Sequence, residues 1–135
     1  DIFCSLSDNI QETFGIVPLE GMAAGLPVVV SDWNGYKETV RNNIDGYKIK
    51  TISLSKNEGL DLAYNHMIGS LTYDLYIGLT AQRVAVDVNS LVSKLSNLIL
   101  DKDKRIKMGV EARKRAKTIF DWSNILKQYV EDFNN

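Results

Sequence analysis

The chain has 135 residues, 44% of them hydrophobic and 24% charged, a profile expected of one soluble globular unit with a core and too little length for two ordinary domains. Its 16 Lys and Arg against 17 Asp and Glu leave a net charge of -1, which supplies no global attraction to nucleic acid or an anionic membrane and disfavours a polynucleotide partner. No apolar stretch approaches the ~20 residues that cross a bilayer, and no basic-then-apolar leader opens the chain, so a cytoplasmic location is expected.

Asp1 to Ser7 reads as a short apolar strand of the kind buried on both faces of a parallel sheet. Cys4, the single cysteine, is expected there as a buried thiol. The strand starts without a lead-in, as a domain cut from a longer chain would. After a polar loop from Ser7 to Glu12, Pro18 suits a first helical position and Gly25 a terminator, which predicts a helix over Pro18–Ala24. A second buried strand follows over Pro27–Asp32. Then come the loop Trp33-Asn34-Gly35, a short helix over Tyr36–Arg41, a turn over Asn43–Gly46 and a third strand over Gly46–Lys50. Alternation of this kind predicts a Rossmann-like parallel α/β sheet over residues 1–50.

Residues 51–88 read as an insertion and connecting segment, with helix near 59–69, another near 73–82 and a brief strand over 84–88. Residues 89–135 read as a C-terminal helical segment: one helix over Ser90–Leu100, a second over Asp103–Ile119, and a third that starts after an N-cap at Asp121 and is anchored by Trp122. Half of the 16 basic residues fall between Lys102 and Lys117. A solvated helix face is the plain reading of that run, and a weak contact with a membrane surface or polyanionic acceptor the sharper one.

The stretch that carries chemistry is Glu12-Thr-Phe-Gly-Ile-Val-Pro-Leu-Glu20. Backbone amides of Gly15, Ile16 and Val17 lead into an unpaired helix N-terminus, and Gly15 lets a ligand approach the backbone closely; a diphosphate suits such a place. Glu12 and Glu20 bracket the turn. A carboxylate beside a phosphate site repels the ligand unless it faces something else, and the hydroxyls of a ribose or hexose are the natural donors to it. Read by charge alone, Glu20 could equally complement its own helix dipole and Glu12 could be a solvated loop residue.

The continuous segment ETFGIVPLEGMAAGLPVVVSDWNGYKETV resembles the signature of the large retaining glycosyltransferase family that includes bacterial group-1 transferases, sucrose synthases and phosphatidylinositol mannosyltransferases. The shared features are two glutamates with seven residues between them, Phe-Gly among those seven, and an Ala-x-Gly-x-Pro-Val continuation. The resemblance implies part of the C-terminal, donor-binding domain of a GT-B fold. It implies that Glu12 contacts hydroxyls of the transferred sugar as a positioning residue, that Thr13, Phe14, Gly15, Ile16 and Val17 line the sugar and diphosphate, and that Glu20 holds the ribose. A UDP- or GDP-sugar donor is implied, with no obligatory metal, and a glycan or lipid-linked acceptor bound by an N-terminal domain. The family's cationic phosphate clamp would precede Asp1, so the 135 residues alone are expected to show little transfer. Self-association through an exposed first strand, and a location peripheral to the inner face of the membrane, are further expectations.

Other readings remain open at this level. The same scaffold could serve a nucleotide-sugar epimerase, or an inactive nucleotide-sugar-binding or assembly module. A glycosidase using Glu12 and Glu20 as its carboxylate pair fits poorly, because its substrate has no phosphate for the turn. His66 and Trp33 read as ordinary packing or surface residues, although Trp33 could line the acceptor side.

Overall fold

Alternating valines explain the centre of the molecule. In the computed structural model, which describes residues 1–134, strands β1 (Phe3–Ser5), β2 (Val28–Ser31) and β3 (Gly46–Ile49) form a parallel sheet in the order β1-β2-β3. Phe3 sits beside Val28, and Val28 beside Gly46. Side chains alternate across a sheet. Val28 and Val30 therefore face one side with Met22, Tyr36, Val40, Ala112 and Ala116, while Val29 faces the other with Tyr47, Ile49, Leu98 and Met108. Helices cover both faces: α1 (Ile16–Ala23) joins β1 to β2, the single turn α2 (Tyr36–Thr39) joins β2 to β3, and α5 (Val88–Leu100) and α6 (Lys102–Ile119) pack on the sheet and on one another. This is the Rossmann-like α/β arrangement with a C-terminal helical part that the sequence predicts.

Between β3 and α5 the chain makes a separate excursion. Strands β4 (Thr51–Ile52) and β5 (Ala85–Val86) pair antiparallel and enclose a hairpin of α3 (Leu60–Met67) and α4 (Tyr73–Ala81). The hairpin is closed by a two-pronged ion pair from Arg83 to Asp61 at 2.9 and 2.8 Å. Hydrogen bonding to Arg83 lowers the Asp61 carboxyl to about 2, so the pair is complete above the ordinary carboxylate range and is lost as pH falls through about 2. In Arg83→Ala, carboxyl-detected NMR titration is expected to find Asp61 back near the unperturbed value of about 4; an unmoved midpoint would mean the pair does not form in solution.

Side chains start the later helices. Asp87, Asp101 and Asp121 each accept an amide of the following first turn, from Ser90, Lys104 and Ser123 respectively, all at 2.9 Å. Hydrogen bonds from Ser123 also hold the Asp121 carboxyl below its usual range. The N-cap expected at Asp121 is therefore present, at the head of α7 (Trp122–Phe133).

Four expectations need correction. Helix α1 starts at Ile16, not at Pro18: Gly15 takes the N-cap in a left-handed conformation, and Pro18 becomes the third helical residue, where an absent N–H still costs no intrahelical bond. Cys4 is exposed, not buried, because β1 pairs with β2 on one side only and is an edge among the described residues. Its partial desolvation pushes the thiol up, away from the reactive thiolate. Trp122 is 72% exposed and anchors nothing; α7 buries no residue. Finally, the basic run is not purely a solvated face. Arg105 closes α5 by donating to the carbonyls of Leu98 and Ile99 at 2.7 and 3.1 Å, and Arg115 donates to those of Thr39 and Glu38 at 2.9 and 3.0 Å.

Candidate functional site

Residues 6–15 leave the C-terminal end of β1, and residues 32–35 leave that of β2. In parallel α/β sheets this end is where ligand sites are built. The two loops are stitched together by one-directional hydrogen bonds. The Ser31 hydroxyl donates to the Ser7 carbonyl, the Trp33 indole N–H to that of Asn9 at 2.8 Å, the Asn34 amide to that of Glu12 at 2.6 Å, and the Gly35 backbone N–H to that of Thr13 at 2.9 Å. All these donors lie at the end of β2 or in the loop that follows it, and all the acceptors are main-chain carbonyls of the first loop. The contact is close: a Cβ at Gly35 would collide with the carbonyls of Thr13 and Phe14.

Glu12 is held from the sheet side. The hydroxyl of Tyr36, a residue buried at the head of α2, donates to Glu12 Oε2 at 3.1 Å and meets the Ser5 hydroxyl at 3.1 Å. The order is then Ser5 to Tyr36 to Glu12. Burial first, and then the neighbouring Glu12, raise the Tyr36 phenol above its ordinary value. It stays protonated at neutral pH and serves Glu12 as a fixed donor, while the half-buried Glu12 makes no hydrogen bond through its other carboxylate oxygen among the described residues.

From Glu12 the chain turns into α1. Gly15 has φ 86 and ψ 60. Phe14, half-exposed, meets the ring of Phe120 edge-on at 6.5 Å between centroids, which ties the turn to the end of α6. Within α1, Pro18, Gly21 and Met22 are buried. Ile16, Val17 and Glu20 lie on the opposite, exposed stripe at spacings of three and four residues. No side chain caps this helix, and helix geometry gives the amides of Ile16 and Val17 no intrahelical acceptor. The arrangement is a helix N-terminus with free donors, an oriented carboxylate upstream and a second carboxylate one turn downstream on the exposed side. It can accept from hydroxyls at either end and donate to an anion between them.

With the turn and its two carboxylates located, the comparison with known families is direct. Residues 1–57 match the family model for glycosyl transferases of group 1. An uncharacterized glycosyltransferase of Methanocaldococcus jannaschii is 50% identical over 38 residues, which is 28% of this chain and 10% of that protein. The chain thus aligns with about a tenth of that relative's length. The group 1 match runs from β1 through β4 and contains the two stitched loops, Tyr36 and α1; the α3–α4 hairpin and the last three helices lie beyond it.

Of the residues singled out in sequence, Glu12, Thr13, Phe14, Gly15, Ile16 and Val17 come together in one turn. Glu20 stands apart from Glu12, on the flank of α1, with no hydrogen bond between the two side chains among the described residues. Ser5, Asn34 and Tyr36 were not singled out. Their polar groups sit in a strand end, a loop and a helix start, and only the fold brings them to Glu12. Trp33 works through its indole N–H to Asn9, a packing role with a polar end. Asp32 lies 3.8 Å from Lys48. His66 belongs to the α3–α4 hairpin, where it stacks on Tyr76 at 4.9 Å. Among the described residues no group of His, Cys, Asp and Glu side chains is placed to hold a metal ion, and no helix is long and apolar enough to cross a membrane.

Proposed function

We propose that this chain is the donor-binding part of a glycosyltransferase that moves a sugar from a nucleotide-sugar to a glycan, lipid or other acceptor, with retention of anomeric configuration. One observation carries the reading: Glu12, oriented by the buried Tyr36 hydroxyl, opens a glycine turn into an uncapped helix whose exposed flank bears Glu20, inside the stretch that matches group 1 transferases.

In this reading the donor's diphosphate lies against the amides of Gly15, Ile16 and Val17, Glu12 accepts from a hydroxyl of the transferred sugar, and Glu20 accepts from the ribose of a UDP- or GDP-sugar. The amides and the helix dipole stabilise charge as it builds on the departing diphosphate, and the bound geometry aligns the reacting atoms. Tyr36 is a positioning residue acting through Glu12. The acceptor site and further cationic contacts to phosphate come from outside the 135 residues, and no metal is invoked.

The test uses the intact protein. Glu12→Gln is expected to lower kcat/KM for transfer about 10–100-fold, the ~1.5–3 kcal/mol of a hydrogen bond to a charged group. Glu20→Ala is expected to weaken donor binding in calorimetry. Tyr36→Phe, which keeps the ring, is expected to lower kcat more than it raises the donor KM. Unchanged transfer in Glu12→Gln would overturn the assignment of the site.

A further inference from the structure

The turn between Glu12 and α1 is met by a second aromatic ring, and that ring comes from outside the stretch that matches group 1 transferases. Ile16 and Val17 are more than half exposed, no side chain caps α1, and Gly15 has only its backbone to set against the Tyr36 ring. Phe14 supplies a further handle. Its ring meets that of Phe120 at 6.5 Å between centroids and 75° between planes, the edge-on geometry that aromatic pairs favour. Phe120, half-buried at the end of α6, belongs to neither core cluster, unlike Ala112 and Ala116 on the same helix. Its ring is turned to Phe14 and to Arg115 instead.

The support behind Phe120 is itself fixed. The Arg115 guanidinium lies over the Phe120 ring at 5.3 Å, donates to the carbonyls of Thr39 and Glu38 at 2.9 and 3.0 Å, and lies 3.7 Å from the buried Asp45 carboxylate. Those two carbonyls end α2, the helix whose first residue, Tyr36, orients Glu12. One guanidinium thus braces both rings that meet the turn: Phe120 against Phe14 and, through α2, Tyr36 against Gly15 and Glu12. We infer that Phe120 is a positioning residue of the donor site. It acts through Phe14, holding the turn in the arrangement that presents the amides of Gly15, Ile16 and Val17 to a diphosphate, so that this ordering is complete before the donor arrives. The inference rests on the donor-binding reading above and adds to it a residue from the C-terminal helices.

In the intact protein, Phe120→Leu keeps an apolar side chain but removes the ring. It is expected to raise the donor KM about 3–10-fold, the effect of one aromatic pair, with the acceptor KM unchanged. Phe120→Tyr keeps the ring and is expected to match wild type. Because the two rings act together, Phe14→Leu combined with Phe120→Leu is expected to be no worse than the more impaired single variant. Amide 15N relaxation of the donor-free protein reads the turn whatever its ligand: order parameters over Phe14 to Val17, about 0.85 in wild type, are expected to fall by at least ~0.1 in Phe120→Leu. Unchanged order parameters overturn the inference. So does a Phe120→Leu variant with a lowered thermal midpoint and kcat but an unmoved donor KM, a loss that Phe120→Tyr shares, or additive effects in the double variant. A turn loosened in Phe120→Leu, while neither that variant nor Glu12→Gln alters transfer, would overturn the reading of the site and this role with it. Should Phe120→Leu not fold, Phe14→Leu, at a half-exposed position, removes the same contact from the side of the turn and is expected to raise the donor KM by the same factor; an unmoved KM there overturns the inference equally.

Discussion

Gly15→Ala is expected to destabilise the fold by about 2–5 kcal/mol and to disorganise the candidate site in the same step. Two independent effects add. At φ 86 any residue with a Cβ is strained, by roughly 1–2 kcal/mol. The new methyl would also be driven into the ring of Tyr36, which is buried in the core with Met22 and Val28 and cannot swing into solvent. Overpacking of this kind costs about 1–3 kcal/mol. Displacing Tyr36 removes the hydroxyl that orients Glu12, so the loss of transfer should exceed that of Tyr36→Phe. Urea denaturation of the variant checks the first part, and transfer assays of the two variants side by side the second. Stability equal to wild type would mean that the turn does not hold the left-handed conformation.

Asp45→Ala is expected to cost about 3 kcal/mol, with Asp45→Asn milder. Asp45 is fully buried. Its carboxylate accepts from the Arg41 backbone N–H at 3.0 Å and from the Arg41 guanidinium at 2.6 and 3.0 Å, with Arg115 Nε at 3.7 Å. Removing it leaves a main-chain donor without its acceptor and two guanidinium groups without the charge between them. The estimate sits at the lower end of the ~3–5 kcal/mol for breaking a buried pair, because Arg41 is partly exposed and can rehydrate. The effect should reach α6, since Arg115 also binds the carbonyls that end α2. Denaturant midpoints of the two variants test the order; a cost in Asp45→Ala below about 1 kcal/mol would demote the cluster to an ordinary surface ion pair.

The value of reading residue types in order varies along this chain. Three consecutive valines between Pro27 and Ser31 could only be a strand buried on both faces, and β2 is that strand. The spacing of Leu91, Leu95 and Leu98 marked α5, and Asp121 before an apolar periodic run marked the start of α7. Glycines and local helical spacing near 59–69 and 73–82 were enough for α3 and α4. By contrast, the pairing of Thr51 and Ile52 with Val86 and Ala85 joins two-residue strands separated by a whole hairpin; so short a strand has no period to detect. The exposure of Cys4 and Trp122 was equally invisible, because an apolar residue at a sheet edge or on a lone helix looks in sequence like one in a core.

At the candidate site the division follows from range. The glycine turn and its two flanking glutamates fall within nine consecutive positions, so residue type and spacing were enough to locate them, although not the start of the helix at Ile16. Which oxygen of Glu12 is held, and by what, depended on Tyr36, which lies 24 residues from Glu12 and 31 from the Ser5 hydroxyl that it also meets. The same holds for Arg115, which reaches Thr39 across 76 residues to brace the turn after β2. Hydrogen bonds of that span follow from how strands are ordered and helices laid over them, and no local pattern encodes them. Sequence therefore determined the chemistry on offer, while tertiary structure decided which side chains hold it in place.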